Sequence, residues 1–227
     1  MRIAILAALT AMALAATGAI AAKPHPNWTA TVTVTDTGTH VLGNPQARVK
    51  VAEFISYTCS HCADFQKQSE VPMRLAYVTP GKVSMEVRHL VRDPLDLAAT
   101  LLANCGDPKR FFRNHNALLR SQDTWMKAVA SASDLQKQRW SNGPMPARLR
   151  AIANDAGLFG VMETLGYSRP DADRCLVDEA KMRVILAQRD AALAAGVQGT
   201  PSFMINGELI ADTHDWQSLE AAIKSRP

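Results

Sequence analysis

The polar and apolar positions of this chain alternate with two different periods, and the change between them marks its organisation. Residues 28–35 (WTATVTVT) alternate threonine with apolar side chains, the period of a half-buried strand. Residues 41–45 (VLGNP) read as a turn. Residues 49–57 (VKVAEFISY) form a β-rich apolar run, long enough for a central strand covered on both faces. The period becomes helical from Cys59 to about Ala76, with Pro72 expected to kink or restart that helix. Residues 82–90 (KVSMEVRHL) alternate again and predict a third strand, closed by Asp93-Pro94.

Residues 95–195 carry almost no strand signal. Helical spacing appears over 95–105, 108–120, 125–140, 146–158 and 172–195, with breakers at Gly106-Asp107, Asn142-Gly143-Pro144 and Ser168-Arg169-Pro170. Gly196 fits the position just past the last helix. Two short strands then follow, 202–205 and 208–210, joined at Asn206-Gly207, the strongest short hairpin signal. Residues 215–224 predict a closing helix. Strands on both sides of a helical block imply one sheet interrupted by an insertion. The expected division is 1–21 as a leader, 22–94 and 196–227 as two parts of one α/β domain, and 95–195 as an all-helical insertion.

The leader changes the picture. Arg2 precedes an Ala/Leu-rich apolar run from Ile3 to Ala16, and Ala19-Ile20-Ala21 supplies small residues for cleavage, the pattern of an export signal. A retained anchor is the alternative, because residues 3–22 just suffice to span a bilayer. No cysteine lies there, which excludes lipid attachment at that end. Residues 23–27 (KPHPN) read as a flexible leader. The sequon Asn27-Trp28-Thr29 is a chance triplet if the signal is bacterial. With 47% hydrophobic residues the chain can build its own core. Its net charge of +4 is spread along the chain without a basic block, which argues against nucleic acid as a partner.

Export places the four cysteines in an oxidising compartment. Cys59-Ser60-His61-Cys62 stands where a strand gives way to a helix, so Cys59 is expected at the helix N-terminus, where free N–H groups and the macrodipole favour a thiolate. Cys62 lies one turn further in as the resolving thiol, and His61 can stabilise the thiolate further, favouring the reduced form and making the disulfide a stronger oxidant. Structural zinc would need two more ligands at matching spacing, and Cys105 and Cys175 stand far apart. An inert disulfide across four residues at a helix start would be strained. A redox pair is therefore expected, with no metal and no resident cofactor.

Residues 51–62 (VAEFISYTCSHC), with Gly199-Thr200-Pro201 about 140 residues later, resemble the thioredoxin superfamily, most closely the periplasmic disulfide oxidases of the DsbA type. The resemblance implies a thioredoxin fold with an inserted all-helical domain, and a cis Pro201 facing the cysteines; alone, Thr-Pro before a strand reads as an ordinary trans turn. It also implies that Thr200 contacts the active-site sulfurs and offers backbone to an extended substrate by β-augmentation. Glu53, six residues before Cys59, matches the family's buried acid, a proton relay under the second cysteine; the alternatives are a salt bridge to Lys50 or a strand-edge acid in water. Ser60 departs from the proline common in the oxidases, and threonine at position 200 also occurs in isomerase-like relatives.

The expected partners are reduced unfolded exported proteins as clients and, through the resemblance, a membrane-bound quinone-linked thiol oxidase. A disulfide isomerase or reductase is the second reading, though such isomerases carry an N-terminal dimerisation domain for which residues 22–27 are too short. A binding protein or chaperone with a structural disulfide is the third. Cys105 and Cys175 are expected to form a structural disulfide, with free thiols or a regulatory pair as alternatives. His25, His40, His89, His115 and His214 lack metal spacing and are expected as surface or capping residues. Trp125, Met126, Trp140 and Met145 read as core, or as an apolar substrate-facing surface.

Overall fold

A computed structural model describes residues 26–226. The leader and His25 lie outside the described residues. Six strands form one mixed sheet in the order β1-β2-β4-β3-β5-β6. These are β1 (Val32–Val34), β2 (His40–Gly43), β3 (Val49–Ile55), β4 (Val83–His89), β5 (Ser202–Ile205) and β6 (Glu208–Ile210). β3 pairs in parallel with β4 and antiparallel with β5, so the β-rich apolar run of 49–57 supplies a central strand.

Helix α1 (Ser60–Pro72) leaves the end of β3. Proline lacks the N–H that an α-turn needs, and after Pro72 the chain widens into a π-helical turn, Met73–Val78, instead of a new α-helix. Eight helices follow β4: α2 (Pro94–Ala103), α3 (Phe111–Arg120), α4 (Gln122–Ala130), α5 (Asp134–Ser141), α6 (Met145–Asp155), α7 (Leu158–Thr164), α8 (Arg169–Leu176) and α9 (Glu179–Ala194). The hairpin of β5 and β6 turns at Asn206 and Gly207, both at positive φ (53° and 87°), and α10 (Trp216–Lys224) closes the chain behind its Asp215 cap. Gly196, at φ 83°, follows α9 as its left-handed stop.

One sheet face buries Val51, Phe203 and Ile205 against Phe65 of α1 and Leu219 and Ile223 of α10. On the other face Phe54 and Leu90 pack on Ala192 and Val197, at and beyond the end of α9. A larger core joins the end of β3 to the helices after β4: Ile55, Tyr57 and Cys62 share it with Leu101, Leu118, Trp125 and Leu149. Trp125 is buried, and Met126, Trp140 and Met145 pack against this core half-buried. Cys105, beyond α2, and Cys175, in α8, are joined by a disulfide.

Several local expectations are corrected. The turn expected at 41–45 is a strand as far as Gly43: β2 pairs with both β1 and β4, and two ladders outweigh the local turn signal of Gly-Asn-Pro, which acts only after it. The strand expected over 28–35 shrinks to Val32–Val34, because Trp28–Ala30 form a 3₁₀ turn. The spans 125–140 and 172–195 each divide in two, at Ser133 and Asp178, whose side chains cap new helices by accepting from Gln136 and Lys181 N–H. Leu158 opens a separate helix, after Gly157. Among the described residues no helix is long and apolar enough to cross a membrane.

Candidate active site

Cys59 caps α1 with extended backbone (φ −89°, ψ 118°), so the first free N–H groups of the helix gather beside its own sulfur. A serine or aspartate there would accept those bonds with oxygen; a thiol leaves them to stabilise a thiolate. Both Cys59 and Cys62 are free thiols in this structure, Cys62 fully buried and Cys59 with 6% of its surface exposed. The two sulfurs differ sharply in acidity. Hydrogen bonding from the Cys62 thiol brings Cys59 down to about 4; Thr200, the Cys62 backbone N–H and the charge of Arg92 add to this, while burial opposes it. Burial pushes Cys62 well up, and its bond to Cys59 and the proximity of Glu53 push it further.

The cis Thr200-Pro201 peptide stands across from the pair, with the Thr200 carbonyl oxygen 3.2 Å from the Cys59 sulfur. Pro201 is buried, and its carbonyl accepts a bond from His214 Nδ1 at 3.0 Å. His61 is exposed on α1 and lines an open groove with Gly199, Thr200, Pro201 and Leu209. Ser60 is exposed beside it.

Glu53 is 1% exposed, on the face of β3 directed at α1. Neither carboxylate oxygen has a hydrogen-bond partner, and burial raises its pKa to about 8. The alternative salt bridge to Lys50 is absent: Lys50 is exposed and its backbone, not its ammonium, is engaged, with its N–H donating to Asn206 Oδ1 at 2.8 Å. An unpaired buried carboxyl at about 8 stays neutral near pH 7, and Glu53 is close enough to Cys62 to influence its acidity.

Four further residues hold the loop 56–59 and gave no signal in the sequence. Asp96, fully buried in α2, accepts from the N–H of Tyr57 (2.8 Å) and of Arg92 (3.0 Å). Gln122, the first residue of α4, donates both hydrogens of its amide, to the carbonyls of Tyr57 (2.6 Å) and Cys59 (2.8 Å). Arg92 donates to the hydroxyls of Ser56 and Thr58, both at 2.9 Å. The Tyr57 hydroxyl meets His115 Nδ1 at 2.9 Å. Only the Asp93-Pro94 cap, which brings Asp96 into the first turn of α2, could have been read locally.

His40, His89 and His115, expected as surface or capping residues, are buried and cap no helix. Phe111 organises them: His40 stacks on its ring at 4.0 Å, and His89 and His115 lie 5.9 and 5.7 Å from it. Neutral imidazole is flat and carries two ring nitrogens, so it can pack like an aromatic ring while bonding Tyr57 or Asn104. His214 is at the surface.

The family model for thioredoxin matches residues 35–225. A solved structure described as a protein-disulfide isomerase from Novosphingobium aromaticivorans is 46% identical, covers 83% of this chain and 97% of its own, and superposes with a TM-score of 0.80. A Rickettsia typhi chain carrying the name protein-disulfide oxidoreductase is 30% identical over 76% of this chain and 56% of its own length; the chain thus spans little more than half of that relative. Wolbachia pipientis alpha-DsbA1 shares the fold, at 23% identity, 82% and 89% coverage and a TM-score of 0.59.

Proposed function

The chain belongs to the thioredoxin family and has the fold of the DsbA-type proteins, and from that premise we propose that it is an exported thiol–disulfide oxidoreductase that donates the Cys59–Cys62 disulfide to other proteins. The observation that carries the proposal is the opposed acidity of the two thiols, Cys59 held near 4 and Cys62 pushed well up. A sulfur that leaves easily as thiolate stabilises the reduced enzyme, and that makes its disulfide oxidising.

In the proposed reaction a client thiolate attacks Cys59 of the oxidised pair. A client–Cys59 disulfide forms, and Cys62 leaves as a thiolate that takes a proton from Glu53. A second client thiolate attacks the client sulfur of the mixed disulfide, and Cys59 departs as thiolate, its charge held by the α1 N-terminus and Arg92. Thr200 and Pro201 offer backbone to the extended client beside the Cys59 sulfur, recognition that tolerates many sequences. Clients are reduced, unfolded exported proteins, and a membrane-bound quinone-linked thiol oxidase restores the disulfide. Residues 1–21 direct export, residues 95–195 act as a helical domain set into an α/β domain formed by 22–94 and 196–227, and the Cys105–Cys175 bond is structural.

Equilibration in glutathione buffers tests the assignment. A potential of about −120 to −180 mV supports a dithiol oxidase; roughly −270 mV would make reductase the assignment. The second reading, isomerase, is favoured by the name of the Novosphingobium relative and by Thr200, and predicts repair of scrambled disulfides by the reduced enzyme. Cys59→Ser should abolish exchange; a variant that retains function would make this a binding protein with a structural disulfide.

A further inference from the structure

The backbone at Pro201 lies outside both ladders of its strand. β5 pairs with β3 as far as Phe54↔Ser202 and with β6 as far as Phe203↔Ile210. Carried two residues further, the second register would set Asp212 opposite Pro201. Asp212 instead turns the chain away in the left-handed region (φ 50°), which its short polar side chain tolerates. Proline also lacks an N–H, so its carbonyl is the one polar handle by which its backbone can be held. A side chain takes that handle: His214 Nδ1 donates to the Pro201 carbonyl at 3.0 Å.

His214 is fixed by its own neighbours in the chain. Thr213 before it is buried, with its hydroxyl donating to the Ala211 carbonyl (3.0 Å). Asp215 after it caps α10 by accepting from the Ser218 N–H (2.8 Å). A carbonyl only accepts, so Nδ1 carries the hydrogen, and it does so in the neutral tautomer and in the imidazolium alike. On the other side of Pro201 the Ser202 hydroxyl donates to the Gly199 carbonyl (2.8 Å) and closes the loop 199–202. The proline ring fixes φ at Pro201, and the His214 bond fixes the direction of its carbonyl. The preceding carbonyl, that of Thr200, is the one that stands 3.2 Å from the Cys59 sulfur.

We propose that His214 is a positioning residue for client capture: by holding the Pro201 carbonyl it keeps the Thr200 backbone in register for an extended client beside the Cys59 sulfur. The inference rests on the reading of Thr200 and Pro201 as the client's strand partner. The bonds made and broken in exchange stay as proposed above. What His214 governs is how the client strand is seated before its thiolate attacks. A peptide that pairs through its backbone therefore depends on His214, whereas a small dithiol has no strand to seat. Without His214 the loop keeps its Ser202–Gly199 bond, but the Pro201 peptide plane is free to swing, and the client must order it on binding.

The test compares two reductants of the oxidised full chain, an extended dithiol peptide and dithiothreitol, in single turnovers followed by acid quench and alkylation. His214→Ala, at an exposed position where folding is safe, should lower the peptide-to-dithiothreitol rate ratio about tenfold. The loss should lie in the half-saturating peptide concentration rather than in the limiting rate. His214→Asn, whose amide nitrogen takes the place of Nδ1, should restore most of the ratio; His214→Gln, whose amide reaches the place of Nε2, should not. The same peptide N-methylated beside its cysteine lacks a backbone donor and tests the reading underneath. If the native protein does not distinguish the two peptides, the strand-pairing reading fails, and the role of His214 with it. If methylation slows the peptide while His214→Ala keeps the native ratio, pairing stands and the positioning role is overturned. An equal loss on both reductants in His214→Ala overturns it too, because the residue would then hold the site as a whole. So does a His214→Asn variant that restores nothing, because the donor at Nδ1 would not be what matters.

Discussion

Glu53 and Cys59 sit on the same strand–helix junction, and the junction drives their protonation in opposite directions. Cys59 gains its charge because helix N–H groups, Cys62, Thr200 and Arg92 all favour thiolate. Titration of thiolate absorbance in the reduced protein should therefore show a midpoint near 4. Arg92→Gln should raise that midpoint by less than about one unit, since the guanidinium is the smallest of the causes, and Arg92→Lys should restore most of it. A midpoint near 9 in the native protein would remove the basis for the oxidase assignment. Glu53 keeps its proton because nothing in the fold compensates the charged form. Its folded pKa of about 8 lies above the ordinary 4.5, so the stability this group supports is complete below 4.5 and is lost as pH rises through 8. The full loss is on the order of 5 kcal/mol, at 1.36 kcal/mol per unit. Glu53→Gln should thus melt higher than the native protein at pH 8.5, with the gap closing by pH 4.5. A gap independent of pH would mean that the carboxyl is compensated in the fold.

Between elements, the site depends on clamps from the helices after β4. Asp96 of α2 takes the Tyr57 N–H and Gln122 of α4 takes its carbonyl, so the peptide units leading into α1 are fixed from both sides. Gln122→Leu leaves two carbonyls short of a partner and should cost about 1–3 kcal/mol in denaturant unfolding. A loss under a few tenths would show that water replaces the clamp. The Cys105–Cys175 bond closes a separation of 70 residues from beyond α2 to α8, and replacing both by Ala should cost roughly 4 kcal/mol on the chain-entropy model. These clamps also explain what could be read from the sequence. β3, the start of α1 and the hairpin at Asn206-Gly207 were legible because each is specified by residues adjacent in the chain. β2 was not, since its pairing with β4 reaches over 40 residues to outweigh a local turn signal. Asp96, Gln122 and His115 reach the site from 39, 65 and 58 residues away from Tyr57, and no local period encodes that meeting. Cys59 and Cys62 stood out as a local C-x-x-C pattern at a strand-to-helix change, and Glu53 as an acid inside an apolar run; its place opposite the pair came only from the resemblance.

Across the whole molecule, the buried ionisable groups pull the pH dependence of stability in two directions. His40, His89 and His115 are neutral in the fold: burial brings His40 to about 4 and His115 to about 3, and holds His89 well below the ordinary range. Each lies below the ordinary 6.5, so the stability they support is complete above 6.5 and is lost as pH falls towards the folded values, because the unfolded chain binds protons that the fold refuses. Three such groups together give a slope of up to about 4 kcal/mol per pH unit between roughly 5.5 and 4.5. Glu53 acts in the opposite sense with about a third of that slope, between 8 and 4.5, and in the reduced protein Cys59, held near 4 against an ordinary 9, offsets it with an equal slope of the histidines' sign. Stability of the reduced protein should accordingly fall steeply from 6.5 towards 4.5 and stay nearly level from 6.5 to 8, while the disulfide form, which has no Cys59 thiolate, should fall gently towards 8. The measurement is guanidinium unfolding at half-unit intervals of pH. Replacing His40 by Phe, which keeps a ring against Phe111, should remove about a third of the acid slope and leave the alkaline limb unchanged. Glu53→Gln should make the stability of the reduced protein rise with pH from 6.5 to 8, where the native protein is nearly level. If the acid limb survives in the His40 variant at full slope, exposed carboxylates rather than this histidine cluster govern the loss of structure in acid.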